Sequence, residues 1–166
     1  ANSVSRMRRL MEQLSSGSKR ATEVDVELNQ VLEKAIRRCE TMSPKPGFRQ
    51  AEGGRPVKAD PERLTAVIEH LLRNAQDATD DDGNIEVTLQ FDDAGATISI
   101  RDSGCGMEPE FVRERLFRPF DSTKGTQSMG IGAYQAREYI RQIGGQLDVA
   151  SSPGGGTTFD IRLPLS

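Results

Sequence analysis

The sequence has too few cysteines for a disulfide framework: only Cys39 and Cys105 among 166 residues. A reducing, cytoplasmic setting is the plain expectation. Long apolar runs are missing too, because charges break every candidate within a few residues, so no segment of the sequence suits a bilayer crossing. The first residues lack the apolar core of a signal peptide. Excess charge of one sign is also lacking. The net charge is −3 and no long basic run occurs, which gives no footprint for nucleic acid. The chain opens on Ala1-Asn2 rather than methionine, a start that a piece of a longer protein, a processed chain and a cloning scar would share.

What is present suits one domain plus a short appendage. About a third of the residues are apolar (35%), enough for a single core at this length. Val4, Met7, Met11 and Leu14 have the spacing of a coiled-coil seam. Gly17 and Ser18 then end that helix. Such a stripe either meets a partner helix or folds back on the domain. Residues 22–26 read as a short strand and 27–41 as an amphipathic helix, with Leu28, Val31, Leu32, Ala35 and Ile36 on one face. Residues 48–57 are polar and glycine-containing, a strand and a loop. Asp60-Pro61 then supplies an N-cap acid and a first-turn proline for a helix to about Thr79.

Ile85, Val87, Leu89 and Phe91 alternate with polar residues, as in a half-buried strand. Residues 92–95 turn the chain into a returning strand over 97–102, with Ile98 and Ile100 inward. A short helix over 111–117, a small-residue loop over 121–129 and a helix over 131–143 follow. A hairpin over 146–150 and 157–163 closes the chain. The expected class is therefore α+β, a mixed sheet with helices packed on one face.

Four stretches carry candidate chemistry. His70, Asn74, Asp77 and Ala78 share a helical face, and an amide oxygen and a carboxylate suit Mg²⁺ or its water. Asp102-Ser103-Gly104-Cys105-Gly106-Met107 ends a strand; its aspartate can accept a hydrogen bond from an exocyclic amine, and its glycines admit a flat ring. Gly130 and Gly132 lie where a loop enters a helix, a place for phosphate, with Lys124 as a nearby point charge. This is neither a P-loop nor a dinucleotide fingerprint. Gly154-Gly155-Gly156-Thr157-Thr158-Phe159 is locally a turn and a strand start. Each stretch alone is also compatible with a polar surface or an ordinary turn.

Their order is more informative. An asparagine helix, Asp-x-Gly-x-Gly, Phe117-x-x-Phe120, Gly130-x-Gly132 and a final Gly-x-Gly-Thr-x-Phe resemble the N, G1, F, G2 and G3 boxes of histidine kinase catalytic domains. The resemblance covers roughly residues 22–166. It implies the Bergerat sandwich and binding of ATP with Mg²⁺. By this resemblance Asn74 coordinates Mg²⁺ and Asp102 accepts the adenine amino group. Gly104 and Gly106 floor the adenine pocket, with Met107 and Thr157 nearby. Phe117 and Phe120 anchor a lid, while Gly130, Ile131 and Gly132 meet the phosphates. Asp77, Ala78, Ser122, Thr123 and Lys124 complete the expected ATP contacts. Catalytic work falls to His70, Asn74 and Lys124.

Two departures stand out. Ser128 occupies a place where the G2 box usually has glycine. In related hydrolysing ATPases a glutamate four residues before the asparagine activates water; here that place holds His70, which favours transfer over hydrolysis. His70 is the only histidine in the chain, and it lies inside the N box rather than on an exposed dimerisation helix. The resemblance therefore puts the phosphoacceptor upstream. Residues 1–17 become the end of a dimerisation helix, and 18–166 the catalytic domain. A finer similarity is to sensor kinases of the PEP-CTERM system. It rests on Phe120-Asp121-Ser122-Thr123-Lys124-Gly125, Met129-Gly130-Ile131-Gly132 and the basic N-terminal tail. The implied whole is a homodimer attached to the inner membrane, with a response-regulator receiver domain as partner. The alternatives are a hydrolysing ATPase module of the same fold, a degenerate docking module and an anti-sigma kinase.

Overall fold

The computed structural model describes residues 23–50, 52–114 and 129–166. The heptad stripe, residues 1–17 and the lid residues Phe117, Phe120, Ser122, Thr123, Lys124 and Ser128 lie outside the described residues. The elements are β1 (Val24–Val26), α1 (Leu28–Arg38), β2 (Gly47–Arg49), β3 (Val57–Ala59), α2 (Pro61–Ala78), β4 (Ile85–Asp92) and β5 (Gly95–Asp102). They continue with α3 (Pro109–Glu114), α4 (Met129–Gln142), β6 (Gln146–Ser151) and β7 (Thr157–Leu163).

Alternation in the strands builds the sheet. Ile85, Val87 and Leu89 of β4, Ile98 and Ile100 of β5, and Phe159, Ile161 and Leu163 of β7 are buried, while intervening residues are more open. The register sets like beside like: Leu89 faces Ile98, which faces Ile161, and Val87 faces Ile100, which faces Phe159. Such cross-strand apolar pairs are what hold a half-buried sheet in register. The strand order is β2-β4-β5-β7-β6, with β2 parallel to β4 and the remaining pairs antiparallel.

The expected single strand and loop over 48–57 is instead two strands in two sheets. β2 joins the main sheet, and β3 pairs with β1 in a separate two-stranded ribbon. Pairing between segments so distant in sequence leaves no local periodic signal. β5 also starts earlier than the alternation indicates. Asp92 Oδ1 accepts from the Ala94 and Gly95 amides, and this tight turn brings Gly95 opposite Asp92.

The helices lie on one face of the mixed sheet, an α+β arrangement: α1 packs on α2, α2 on α4 and β5, and α4 on β6. Asp60 caps α2 as its sequence indicates, Oδ1 accepting from the Glu62 and Arg63 amides at 3.0 and 3.4 Å. Leu64, Ile68, Leu71 and Leu72 fill the core below it. Gln76 is a buried polar residue in this apolar layer. Its Nε2 donates toward the Cys39, Met42 and Pro44 carbonyls at 2.9, 3.3 and 3.2 Å. One amide thereby closes the end of α1 onto α2. Gln76→Leu leaves those carbonyls without their donor, and urea denaturation is expected to show a loss of about 1–3 kcal/mol.

Candidate functional site

The end of β5 is where the sheet becomes chemistry. Asp102 ends the strand opposite Ile85 on one side and Thr157 on the other, and only 5% of it is exposed. Its Oδ1 accepts from the Gly104 amide at 2.9 Å and the Thr157 amide at 3.2 Å. No hydrogen bond among the described residues reaches Oδ2, which stays available as an acceptor. Burial pushes the carboxyl pKa up, opposed by the Gly104 and Thr157 amides.

The loop after Asp102 is fixed from three sides. Cys105 N donates to Ala78 O at 3.1 Å, tying the loop to the end of α2. Gly154 N donates to Cys105 O at 2.7 Å, tying it to the β6–β7 turn. Met107 N donates to Ser151 Oγ at 2.8 Å. Close approach explains the glycines. A Cβ on Gly104 would stand 2.3 Å from Ala78 O, and one on Gly106, whose φ is +71°, would stand 1.8 Å from Ser152 O. Such contacts with backbone atoms are not relieved by a side-chain shift.

Ser151 and Thr157 form a hydroxyl relay. Ser151 Oγ donates to Gly156 O at 3.0 Å and lies 2.8 Å from Thr157 Oγ1. With its single proton so used, it receives the Thr157 proton, and the lone pairs of Thr157 have no donor among the described residues. Ser151 carries no motif signal, and only the hairpin register brings it here. Cys105, in this loop, is a free and exposed thiol.

The helix residues divide. Asn74 is buried, at 8% exposure, and its Nδ2 has no hydrogen-bond partner. Asp77 and His70 are exposed and Ala78 is half-buried. Of the three polar residues on this helical face, only Asn74 is buried by accessible surface. The His70 pKa is lowered, chiefly by lost hydration within the surrounding protein, opposed by Glu69 and aided by Arg73. Thr79, which the motif reading passes over, is also buried, with Oγ1 lacking a hydrogen-bond partner beside the Gly104 backbone. Gly130, Ile131 and Gly132 lie in the first turn of α4.

The end of β5 thus brings a buried carboxyl and two tightly packed glycines against the end of the helix that carries Asn74. Residues 59–166 match the family described as histidine kinase-, DNA gyrase B- and HSP90-like ATPases. The chain belongs to this family. Among its relatives, the sensor histidine kinase ZraS of Escherichia coli (strain K12) is 37% identical over 110 residues, 66% of this chain and 23% of that protein. The signal transduction histidine-protein kinase AtoS of the same strain is 37% identical over 112 residues, 67% of this chain and 18% of that protein. The chain therefore spans about a quarter or less of the length of these relatives. The mycobacterial sensor histidine kinase MprB shares the fold with a TM-score of 0.74 at 23% identity, covering 86% of this chain and 97% of that one. The domain is an ATP-binding one by family.

The raised pKa of Asp102 has a sign that stability measurements can read. The protonated carboxyl is favoured in the folded state, so its contribution is fully present below the unfolded value near 3.8. It is lost as pH rises toward and through the higher folded value. Asp102→Asn cannot ionise. Its stability relative to the parent chain is expected to increase from pH 3.5 to pH 7, in the range set by about 3.9 for a free aspartate, as read by urea midpoints. A constant difference across that range contradicts the buried-carboxylate assignment.

Proposed function

We propose that this chain is the ATP-binding catalytic domain of a two-component sensor histidine kinase. The observation that carries it is the pairing, at one end of the sheet, of Asp102 with Oδ2 open and Asn74 with its buried amide unpaired. An acceptor in a glycine-floored slot suits the exocyclic amino group of adenine. Thr157, Met107, Gly104 and Gly106 border the same slot. An orphaned amide suits a site completed by a ligand, since such groups are costly to leave unfilled. Mg²⁺ takes few protein ligands and keeps phosphate oxygens and waters, and the Asn74 side-chain oxygen supplies a ligand of the right kind. When bound, Mg²⁺ neutralises charge on the phosphates. The first turn of α4, with Gly130, Ile131 and Gly132, offers backbone amides to the same groups. Lys124, Ser122, Thr123, Phe117 and Phe120 belong to this reading as lid contacts, and Asp77 and Ala78 as neighbours on the rim.

The reaction is transfer of the ATP γ-phosphoryl group to a histidine nitrogen on a dimerisation domain. The bond from phosphorus to the β-bridging oxygen breaks, a phosphorus–nitrogen bond forms, and ADP leaves. A receiver-domain aspartate of a response regulator takes the group afterwards. The chain contributes position and charge complementarity rather than a nucleophile. In the full protein, residues 1–17 end the dimerisation helix of a homodimer, and residues 18–166 are the catalytic domain. The similarity to PEP-CTERM-system sensor kinases adds an inner-membrane parent with this domain on the cytoplasmic side.

Calorimetric titration with a non-hydrolysable ATP analogue tests the reading. Binding is expected to strengthen with Mg²⁺, and GTP analogues to bind much more weakly. Asn74→Ala should lose the Mg²⁺-dependent part of the affinity. Asp102→Asn should weaken binding by about tenfold, through loss of a charge-assisted hydrogen bond. Addition of a histidine-bearing dimerisation domain should yield acid-labile phosphate on that domain. No binding at millimolar nucleotide would sink the proposal.

A further inference from the structure

The start of α2 is finished by another helix. A capping box would place a Glu or Gln at the third helical position, reaching back to the N-cap amide. In α2 that position is Arg63. The Asp60 amide donates instead to the Tyr139 hydroxyl of α4 at 2.9 Å. The Tyr139 residue is only 4% exposed. The Arg63 guanidinium carbon lies 4.4 Å from the Tyr139 ring centroid, and Arg63 Nη2 donates to Gln142 Oε1 at 3.5 Å. Tyr139 and Gln142 are three residues apart and so share a face of α4. The N-cap and the third residue of α2 are thereby held by two residues of α4.

This junction joins the beginning of α2 to the far end of α4, so the two packed helices run in opposite directions. At their other ends lie Asn74 and the Gly130-x-Gly132 turn. From Asp60 to Asn74 is about 21 Å of helix, and from Tyr139 back to Gly130 about 14 Å, at about 1.5 Å per residue. A helix is stiff along its axis, so register fixed at one end is fixed at the other. A slide of a single residue, about 1.5 Å, breaks the hydroxyl bond.

We propose that Tyr139 is a positioning residue that sets the axial register of α4 against α2, and so the spacing between the glycine turn of α4 and Asn74. The inference rests on the nucleotide reading above and adds a residue remote from the ligand to it. It separates two halves of the site. The adenine slot is built from β5, β7 and their loops, which the Tyr139 contact does not touch. The phosphate half spans the two helices that it joins.

The test compares the chain and its Tyr139→Phe variant in titrations with adenosine and with an ATP analogue plus Mg²⁺. The phenyl ring keeps the packing and the Arg63 contact and loses only the hydroxyl. The affinity for the magnesium–ATP analogue is expected to fall about 3- to 10-fold, the worth of one hydrogen bond, with adenosine affinity unchanged. Equal loss for both ligands, or no loss for either, overturns the register role. Should the variant fail to fold, Gln142→Ala removes the neighbouring tie at the helix surface. The same selective weakening is expected, and an unchanged profile overturns the proposal. Failure of the parent chain to bind either ligand sinks the nucleotide reading itself, whereas parental binding with an unaltered variant sinks only the role of Tyr139.

Discussion

A carboxylate taken out of water at the end of a central strand is the constraint around which this domain is arranged. Burial of an ionisable group is costly unless hydrogen bonds replace its hydration. Asp102 receives two such bonds, both to one oxygen, from amides that lie on either side of it in the fold. Gly104 belongs to its own loop, and Thr157 to the strand beside it. The carboxylate can keep these partners only if β5 and β7 end together and the loop turns back at once. That demand explains the close backbone approaches around Gly104 and Gly106. It also leaves Oδ2 without a hydrogen bond among the described residues.

The helical half obeys a different logic. α2 is long and mostly apolar on its inner side, and its polar residues are settled one by one. Gln76 is used structurally, with its nitrogen on the carbonyls that end α1. Asn74, two residues earlier, is buried to a similar depth and its nitrogen is left without a partner. The two amides differ in their nitrogens: that of Gln76 is paired with carbonyls, while that of Asn74 has no partner among the described residues, and the Gln76 oxygen is likewise unpartnered.

Much of this was legible in the sequence wherever the signal is local. Asp60-Pro61 announces a helix start because capping involves residues two and three apart. The alternation of Ile85, Val87 and Leu89 announces a strand because burial on one face has period two. The motif order places Asn74 and Asp102 before any contact is seen. What was hidden depends on distant partners. β3 pairs with β1 across the whole of α1, and no local pattern encodes that choice. Periodicity places His70 and Asp77 on the same helical face as Asn74 and says nothing of depth along it. Tyr139 sits in the apolar stripe of α4 like any core residue, and its hydroxyl acquires meaning only against Asp60. Ser151 is an ordinary strand-end serine until the hairpin folds it under Met107.

The exposure of His70 bears on what an ATP site of this kind would do. Water activation calls for a base held at fixed distance from the phosphate, its ring or carboxyl oriented by a partner. His70 has no hydrogen bond among the described residues to orient its imidazole, and its lowered pKa makes it a weaker base than a free histidine. The position that would house a carboxylate in a hydrolysing relative is thus filled by a group of lower basicity and unfixed direction. Asn74 and Asp102, by contrast, are buried, and Asp102 is held by two amide hydrogen bonds. Among the described residues, no oriented base stands at the place four residues before Asn74, which suits the proposed transfer better than attack by water. The proposed preference for transfer thus rests on a contrast within one helix, between an exposed His70 and a buried Asn74 four positions on.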